Sequence, residues 1–411
     1  MNKFFSIPQT ILRMHEGPLG FCIDSYSGLL HERGYARQSA RLQIRLVADF
    51  SRWLRQNGYA AEEITPERVN RFLQCRGQHL RPTKGDSAAL HRLIDLLCQT
   101  GVISSQTPPM IMTPCDRLLD DFRLYLAQER ALSMATLQNY LPFTRQFLCE
   151  CFTPNRIELS RLSAKNVTAF VERHAPTLGR KRAQLMTTAL RSFLRYLRYR
   201  GDLATDLAAC VPSVACWSLS EVPKFLEPSQ VQRILDHCDR QTVFGRRDYA
   251  ILLLLARLGL RASEVAFLKL EDIDWEAGQI TVHGKGGHSA QLPLPVDVGE
   301  AIAVYLQEGR PSCSSRSVFV RGRAPRRGFL GQDAIGSIVK HALARAGINS
   351  QHKGAHLFRH SLATQMLRQG ASLAEIGEIL RHRHPNTTAI YAKVDLTALR
   401  TLALPWPGGE L

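Results

Sequence analysis

The chain has no long hydrophobic run. Its longest, Tyr249-Ala250-Ile251-Leu252-Leu253-Leu254-Leu255-Ala256, is far shorter than the roughly 20 apolar residues a membrane-spanning helix needs. A helical membrane protein is therefore excluded. Met1-Asn2-Lys3-Phe4-Phe5-Ser6-Ile7-Pro8 lacks the apolar core of a secretion signal. Paired cysteine motifs are missing too. The ten cysteines are scattered, and the closest pair, Cys149 and Cys151, is not a C-x-x-C and has no matching Cys or His pair. That argues against a zinc site and fits reduced, mostly buried thiols in a cytoplasmic protein. Neither a P-loop nor an acidic metal cluster occurs, so no nucleotide, metal or other cofactor is expected.

Acidic residues are also short. Lys and Arg number 53 against 36 Asp and Glu, giving a formal charge of +17 and a pI near 9.8. Such a surplus attracts a polyanion, of which DNA is the commonest. A length of 411 residues exceeds what one core supports and implies two to four domains. The composition, 45% hydrophobic and 22% charged, is that of a soluble globular protein.

The first two hundred residues read as an internal repeat, the alternative being chance likeness between amphipathic helices of similar length. Glu32-Arg33 aligns with Glu129-Arg130, and Phe50 with Phe147. Ile64–Leu73 aligns with Leu162–Val171, and Leu90, Ile94, Leu97 and Gly101 align with Leu190, Leu194, Leu197 and Gly201. Apolar residues at helical spacing, Leu90/Leu93/Ile94/Leu97 and Leu190/Phe193/Leu194/Leu197, mark an amphipathic helix in each copy, stopped by the glycine. Two successive helical bundles are expected, over 16–106 and 114–213. Linkers fall at Thr107–Pro114 and Pro212–Pro223, where proline and small residues gather.

Beyond them, Leu226-Glu227-Pro228-Ser229 opens a helix. A helix through 249–258 turns at Gly259-Leu260, and the next starts near Ser263, a candidate N-cap. Ile280–His283 and Gln291–Leu294 read as a β-hairpin around Gly284-Lys285-Gly286-Gly287. Helices are expected over 331–346, 357–369 and 373–380, and Thr387-Thr388 is expected to cap the helix that carries Tyr391.

The chemistry-bearing residues cluster in this last part. Arg261 lies in Gly259-Leu260-Arg261-Ala262-Ser263-Glu264, and Lys285 at the hairpin tip. His356 and Arg359 stand three apart in His356-Leu357-Phe358-Arg359-His360, so they share a helix face. His360 then points elsewhere and reads as structural. His382 and Tyr391 follow in Leu380-Arg381-His382 and Thr388-Ala389-Ile390-Tyr391. A tyrosine hydroxyl attacks a phosphodiester only if charge on the phosphate is stabilised and the leaving oxygen is protonated. Arginine forks, a lysine and histidines supply those functions. Arg321, Arg323, Arg326 and Arg327 crowd one loop, which reads equally as solvated or as a phosphate contact.

In order and spacing these motifs resemble the tyrosine recombinase (phage integrase) family. The likeness implies a mainly α protein: helical bundles of the SAM-like core-binding type ahead of a mixed α+β catalytic domain with a small antiparallel sheet. The second bundle corresponds to the family's core-binding domain. The first would be an extra arm of the same type, the catalytic domain would span 224–400, 401–411 would form a C-terminal tail, and the segment after Tyr391, 392–411, would dock on a neighbour. By resemblance, Tyr391 is the nucleophile that forms a 3′-phosphotyrosyl bond. Arg261 and Arg359 clamp the phosphate, Lys285 is the general acid, and His356 and His382 donate hydrogen bonds or move protons. Implied partners are double-stranded DNA at a recombination site and copies of the chain, two per site and four in the synapse. One departure stands out: the family has glycine before His382, and this chain has Arg381. Integration or transposition of a mobile element is the expected role. A type IB-like topoisomerase and an inactive DNA-binding regulator are the alternatives.

Overall fold

A computed structural model describes residues 1, 3–81, 83, 85–103, 112–153, 155–215, 222–284, 288–394 and 399–400. The linker segments 104–111 and 216–221, Lys285 with its two glycines, and the tail 401–411 lie outside the described residues. The chain divides into two compact units, Met1–Ser105 with Val222–Leu411, and Gln106–Glu221.

The first unit begins with α1 (Pro8–Met14), α2 (Ile23–Glu32), α3 (Arg37–Gln56), α4 (Pro66–His79) and α5 (Asp86–Gln99). The second unit holds α6 (Pro114–Leu124), α7 (Met134–Cys151), α8 (Ala164–His174) and α9 (Arg180–Tyr199). The aligned positions carry similar local chemistry. Thr65 caps α4 through its hydroxyl, and at the aligned position Ser163 opens α8, its N–H bonded to Asn166. Gly101 and Gly201, following α5 and α9, both take positive φ, +73° and +83°. The same aligned positions also fill the two cores. Phe50, Val69, Phe72, Leu90 and Leu97 are buried in one bundle, and Phe147, Val167, Phe170, Leu190 and Leu197 in the other. Apolar residues at helical spacing make a face that is stable only when packed against the next helix.

The first unit continues with α10 (Pro228–Asp236), α11 (Val243–Leu258), α12 (Ala262–Ala266), β1 (Ile273–Asp274), β2 (Gln279–His283), β3 (Ser289–Pro293), α13 (Val296–Val304) and α14 (Asp333–Arg345). Then come α15 (His356–Arg368), α16 (Leu373–Ile379), α17 (Pro385–Thr388) and a 3₁₀ segment, Ala389–Val394. The strands form one antiparallel sheet in the order β1-β2-β3, with Ile280 opposite Leu292 and Val282 opposite Ala290. Alternation buries Ile280 and Val282 on one face. The returning strand starts two residues earlier than the sequence suggests, because Ser289 pairs with His283.

The apolar run explains the centre of this part. Residues Ala250 to Leu255 of α11 are all at most 1% exposed, so the helix is wrapped on every side and needs no polar face. Each fully buried leucine contributes about 1.5–3 kcal/mol of hydrophobic stabilisation. A buried scaffold helix of this kind gives its ends fixed positions, and its C-terminal end carries the site. The described residues contain no helix long and apolar enough to cross a membrane.

Two local expectations are corrected. Ser263 does not cap α12; Arg261 is the N-cap, because Glu264 at N3 accepts the Arg261 backbone N–H at 2.8 Å. Tyr391 is not on a helix capped by Thr387 and Thr388. Pro385 starts the short α17, and the tyrosine falls in the 3₁₀ segment after it. Thr388 is buried and its hydroxyl is engaged by His382 instead. In the arginine-rich loop, the Arg326 backbone N–H donates to the Arg33 carbonyl at the end of α2, which ties the loop's backbone to the first helices.

Candidate active site

The site is assembled from the ends of α11 and α16, the start of α12, α15 and the 3₁₀ segment. α11 stops at Gly259, whose φ of +57° breaks the helix. Two residues on, Arg261 enters α12 with its guanidinium 2.7 Å from the Glu264 Oε1. Glu264 is buried at 3% exposure. Burial by itself would raise its carboxyl, but the Arg261 N–H and the Arg381 and Arg261 charges outweigh it and hold the carboxyl below the ordinary glutamate value.

Arg359 is buried on α15. Its Nη1 donates to the Gly259 carbonyl at 2.6 Å and its Nη2 to the Leu380 carbonyl. These are the C-terminal carbonyls of two helices, the negative ends of their dipoles, which suits a buried cation. Burial, then the charges of Arg261 and Arg381, push its pKa down to about 10, and it stays charged at neutral pH.

α16 ends in a paired-bond stop. The Arg381 N–H bonds the Glu378 carbonyl and the His382 N–H bonds the Gly377 carbonyl, the Schellman arrangement. That motif puts a left-handed residue directly before the histidine, which is why glycine suits the position. Here Arg381 adopts it, at φ +56°. The turn is therefore kept despite the substitution. His382 leaves it with Nδ1 2.7 Å from the Thr388 hydroxyl, and its ring lies nearly parallel to that of Tyr391 at 6.5 Å.

Tyr391 is 1% exposed, and its hydroxyl is 2.9 Å from Nδ1 of His360. His360 therefore does not point away from the site. One step along a helix turns a side chain about 100° from Arg359, and the 3₁₀ segment carrying Tyr391 packs on that side. The spacing signal was present: His356 and His360 are i and i+4, and their rings lie 6.4 Å apart. His356 itself opens α15 and is exposed.

Electrostatics bind these groups into one cluster. Burial, reinforced by neighbouring positive charge, pushes His360 and His382 down to about 4. Partial desolvation, with the Arg359 and Arg261 charges, lowers His356 below the usual imidazole value. Burial raises the Tyr391 phenol to about 12, with only partial relief from Arg359. At neutral pH the arrangement is a protonated tyrosine beside neutral imidazoles and two or more guanidiniums. Such a set holds a phosphate and accepts a phenolic proton. A cavity of about 650 Å³ opens here, lined by Arg261, Glu264, His288, Arg381 and His382. The structure thus brings together Arg261, His356, Arg359, His382 and Tyr391. The sixth expected residue, Lys285, is outside the described residues. Among the described residues no group of His, Cys, Asp and Glu could hold a metal ion.

This fold and these motifs are those of a tyrosine-type site-specific recombinase, an enzyme class that breaks and rejoins DNA strands. The chain belongs to the phage integrase family, whose model matches residues 224–397. It is 49% identical to y4rA of Sinorhizobium fredii, named as an integrase/recombinase, over 99% of both chains. It is 31% identical to the tyrosine recombinase XerC of Azotobacter vinelandii, covering 68% of this chain and 92% of that one. Among solved structures, XerH bound to a palindromic difH substrate matches with a TM-score of 0.55 and 18% identity, over 77% of this chain and 94% of that chain. A λ integrase dimer on a core site matches with a TM-score of 0.53 and 16% identity, over 72% and 98%. These two likenesses are to the fold.

Proposed function

We propose that this protein integrates or transposes a mobile element by cutting and rejoining double-stranded DNA through a Tyr391 phosphotyrosyl intermediate. The observation that carries the reading is the Tyr391 hydroxyl, hydrogen-bonded to neutral His360 inside a cluster built on Arg261 and Arg359. In the cleavage step the Tyr391 oxygen bonds to phosphorus and the bond to the 5′ oxygen breaks. The phenolic proton passes to His360, and Lys285 protonates the departing oxygen. Arg261 and Arg359 stabilise the charge on the phosphate. His356 and His382 add hydrogen bonds. Rejoining reverses these steps with a partner strand's 5′ hydroxyl, so the phosphodiester energy is conserved and no nucleotide is consumed.

The named function of y4rA and the two-unit organisation of the chain support recombination over relaxation of supercoils. In this reading two copies bind each site and four form the synapse, in the cytoplasm. Residues 114–213 grip the core site, residues 224–400 form the catalytic domain, residues 16–106 add a further arm, and the segment 392–411 bridges to a neighbour.

Tyr391→Phe removes only the hydroxyl. It should abolish the covalent adduct on a nicked suicide duplex while DNA affinity holds within about twofold; an adduct formed by the Phe variant would remove Tyr391 from the role. Footprinting of the full chain and of a form lacking 16–106 tests the arm. The truncated form should protect fewer base pairs and show a shallower salt dependence, because fewer counterions are released. An unchanged footprint would make that bundle a protein-binding module instead.

A further inference from the structure

Arg381 occupies a position where glycine would be free of strain. A left-handed backbone brings Cβ against the following carbonyl in every residue but glycine, and Arg381 sits there at φ +56°. It carries a second liability: Nε is buried and has no hydrogen-bond partner among the described residues. An outlier of this kind invites a functional account. The rest of the side chain supplies one. Nη2 donates to Glu264 Oε2 at 2.9 Å, while Glu264 Oε1 holds Arg261 Nη1 at 2.7 Å. The Arg381 backbone carbonyl accepts from Arg261 Nη2 at 3.3 Å. Both groups that orient the Arg261 guanidinium, one carboxylate and one carbonyl, are thus tied to residue 381.

We propose that Arg381 is a positioning residue for Arg261: it shares Glu264 with Arg261, so that the carboxylate fixes the Arg261 fork without cancelling the positive charge it offers to the scissile phosphate. Two guanidiniums on one carboxylate leave one surplus positive charge. With glycine at 381 the Arg261–Glu264 pair would be neutral, and Arg261 would face the phosphate as half of a closed ion pair. Substrate entry then need not break the Arg261–Glu264 bond to expose charge, since Arg381 has already drawn on the carboxylate. The residue does this from the rim of the cavity that also presents Arg261 and His382. The inference rests on the strand-cleavage reading above.

Arg381→Gly separates a turn residue from a charge-positioning one, because glycine fits the left-handed turn better than arginine does. The full-length variant is assayed in single turnover on a nicked duplex carrying a site defined by footprinting. The thermal midpoint should hold or rise and DNA affinity should stay within about twofold, while the rate at saturating DNA falls about a hundredfold, the scale of a misplaced catalytic group. Added guanidinium chloride at low millimolar concentration should restore part of it. A rate within twofold of wild type, or a loss that only follows a lower thermal midpoint, overturns the proposal. If the glycine variant does not fold, Arg381→Lys and Arg381→Gln decide, since both keep the backbone demand and only lysine keeps the charge. The lysine form should be about tenfold faster, and equal rates overturn the idea. Wild-type adduct formation, lost in Tyr391→Phe, checks the underlying chemistry separately: its absence would sink the cleavage reading and not the role of Arg381 within it.

Discussion

Two helix ends meet at Arg359. They share a backbone geometry and differ in the residue that carries it. α11 gives way to Gly259 at φ +57°, and α16 to Leu380 and then Arg381 at φ +56°. Each end lends a carbonyl to the Arg359 guanidinium. At Gly259 packing dictates the residue: a Cβ there would fall 2.8 Å from Leu380 Cδ2 and 3.1 Å from Leu362 Cδ2. At Arg381 the same strain is accepted, and the side chain reaches a buried carboxylate. One left-handed turn is thus chosen by space and the other is compatible with charge. A glycine pattern in a sequence marks the first kind reliably and misses the second.

The largest break in this comparison is the removal of the group between the two ends. Arg359→Ala leaves two helix-terminal carbonyls without their buried donor and strips charge from the phosphate site. Cleavage should fall by about two to three orders of magnitude, measured as adduct formation in single turnover, and the urea midpoint should drop as well. A variant that cleaves within tenfold of wild type would show that the two ends need no bridge. Gly259→Ala tests the packing-defined end. The left-handed backbone alone should cost about 1–2 kcal/mol in urea unfolding, and the approach to Leu380 adds to it. A neutral result would mean that α11 can end in another geometry.

The last effect is graded and depends on pH. His360 and His382 titrate near 4 in the folded protein against 6.5 for an ordinary imidazole. As pH falls below 6.5 the unfolded chain takes up protons that the folded chain refuses. Stability contributed by these groups is therefore complete above 6.5 and is lost progressively towards 4. The urea midpoint should fall across that window, and His360→Gln with His382→Gln should flatten the decline. An unchanged slope in the double variant would mean that other groups carry the acid sensitivity.

Much of the fold was legible because its signals are local. The apolar run Tyr249–Ala256, the alternation of Ile280 and Val282, and the glycine stops after Leu97 and Leu197 each specify an element without help from afar. In the site, arginine, histidine and tyrosine could be read by type and order. Their mutual orientation could not. His360 was set aside because neighbours on a helix diverge from each other, yet Tyr391 arrives from a later segment and meets it. Ser263 looked like a cap from its type, but the carboxylate of Glu264 reached the N–H first. Arg381 stood out only as a departure from glycine; the carboxylate it shares comes from α12, more than a hundred residues earlier.

The sealed tyrosine has a consequence for the protein away from its substrate. A phenol with a pKa of about 12 is ionised in about one molecule in 100,000 at pH 7, and its hydroxyl has almost no contact with solvent. Under the cleavage role proposed above, the reactivity of this tyrosine becomes a property of the assembled complex and not of the chain alone.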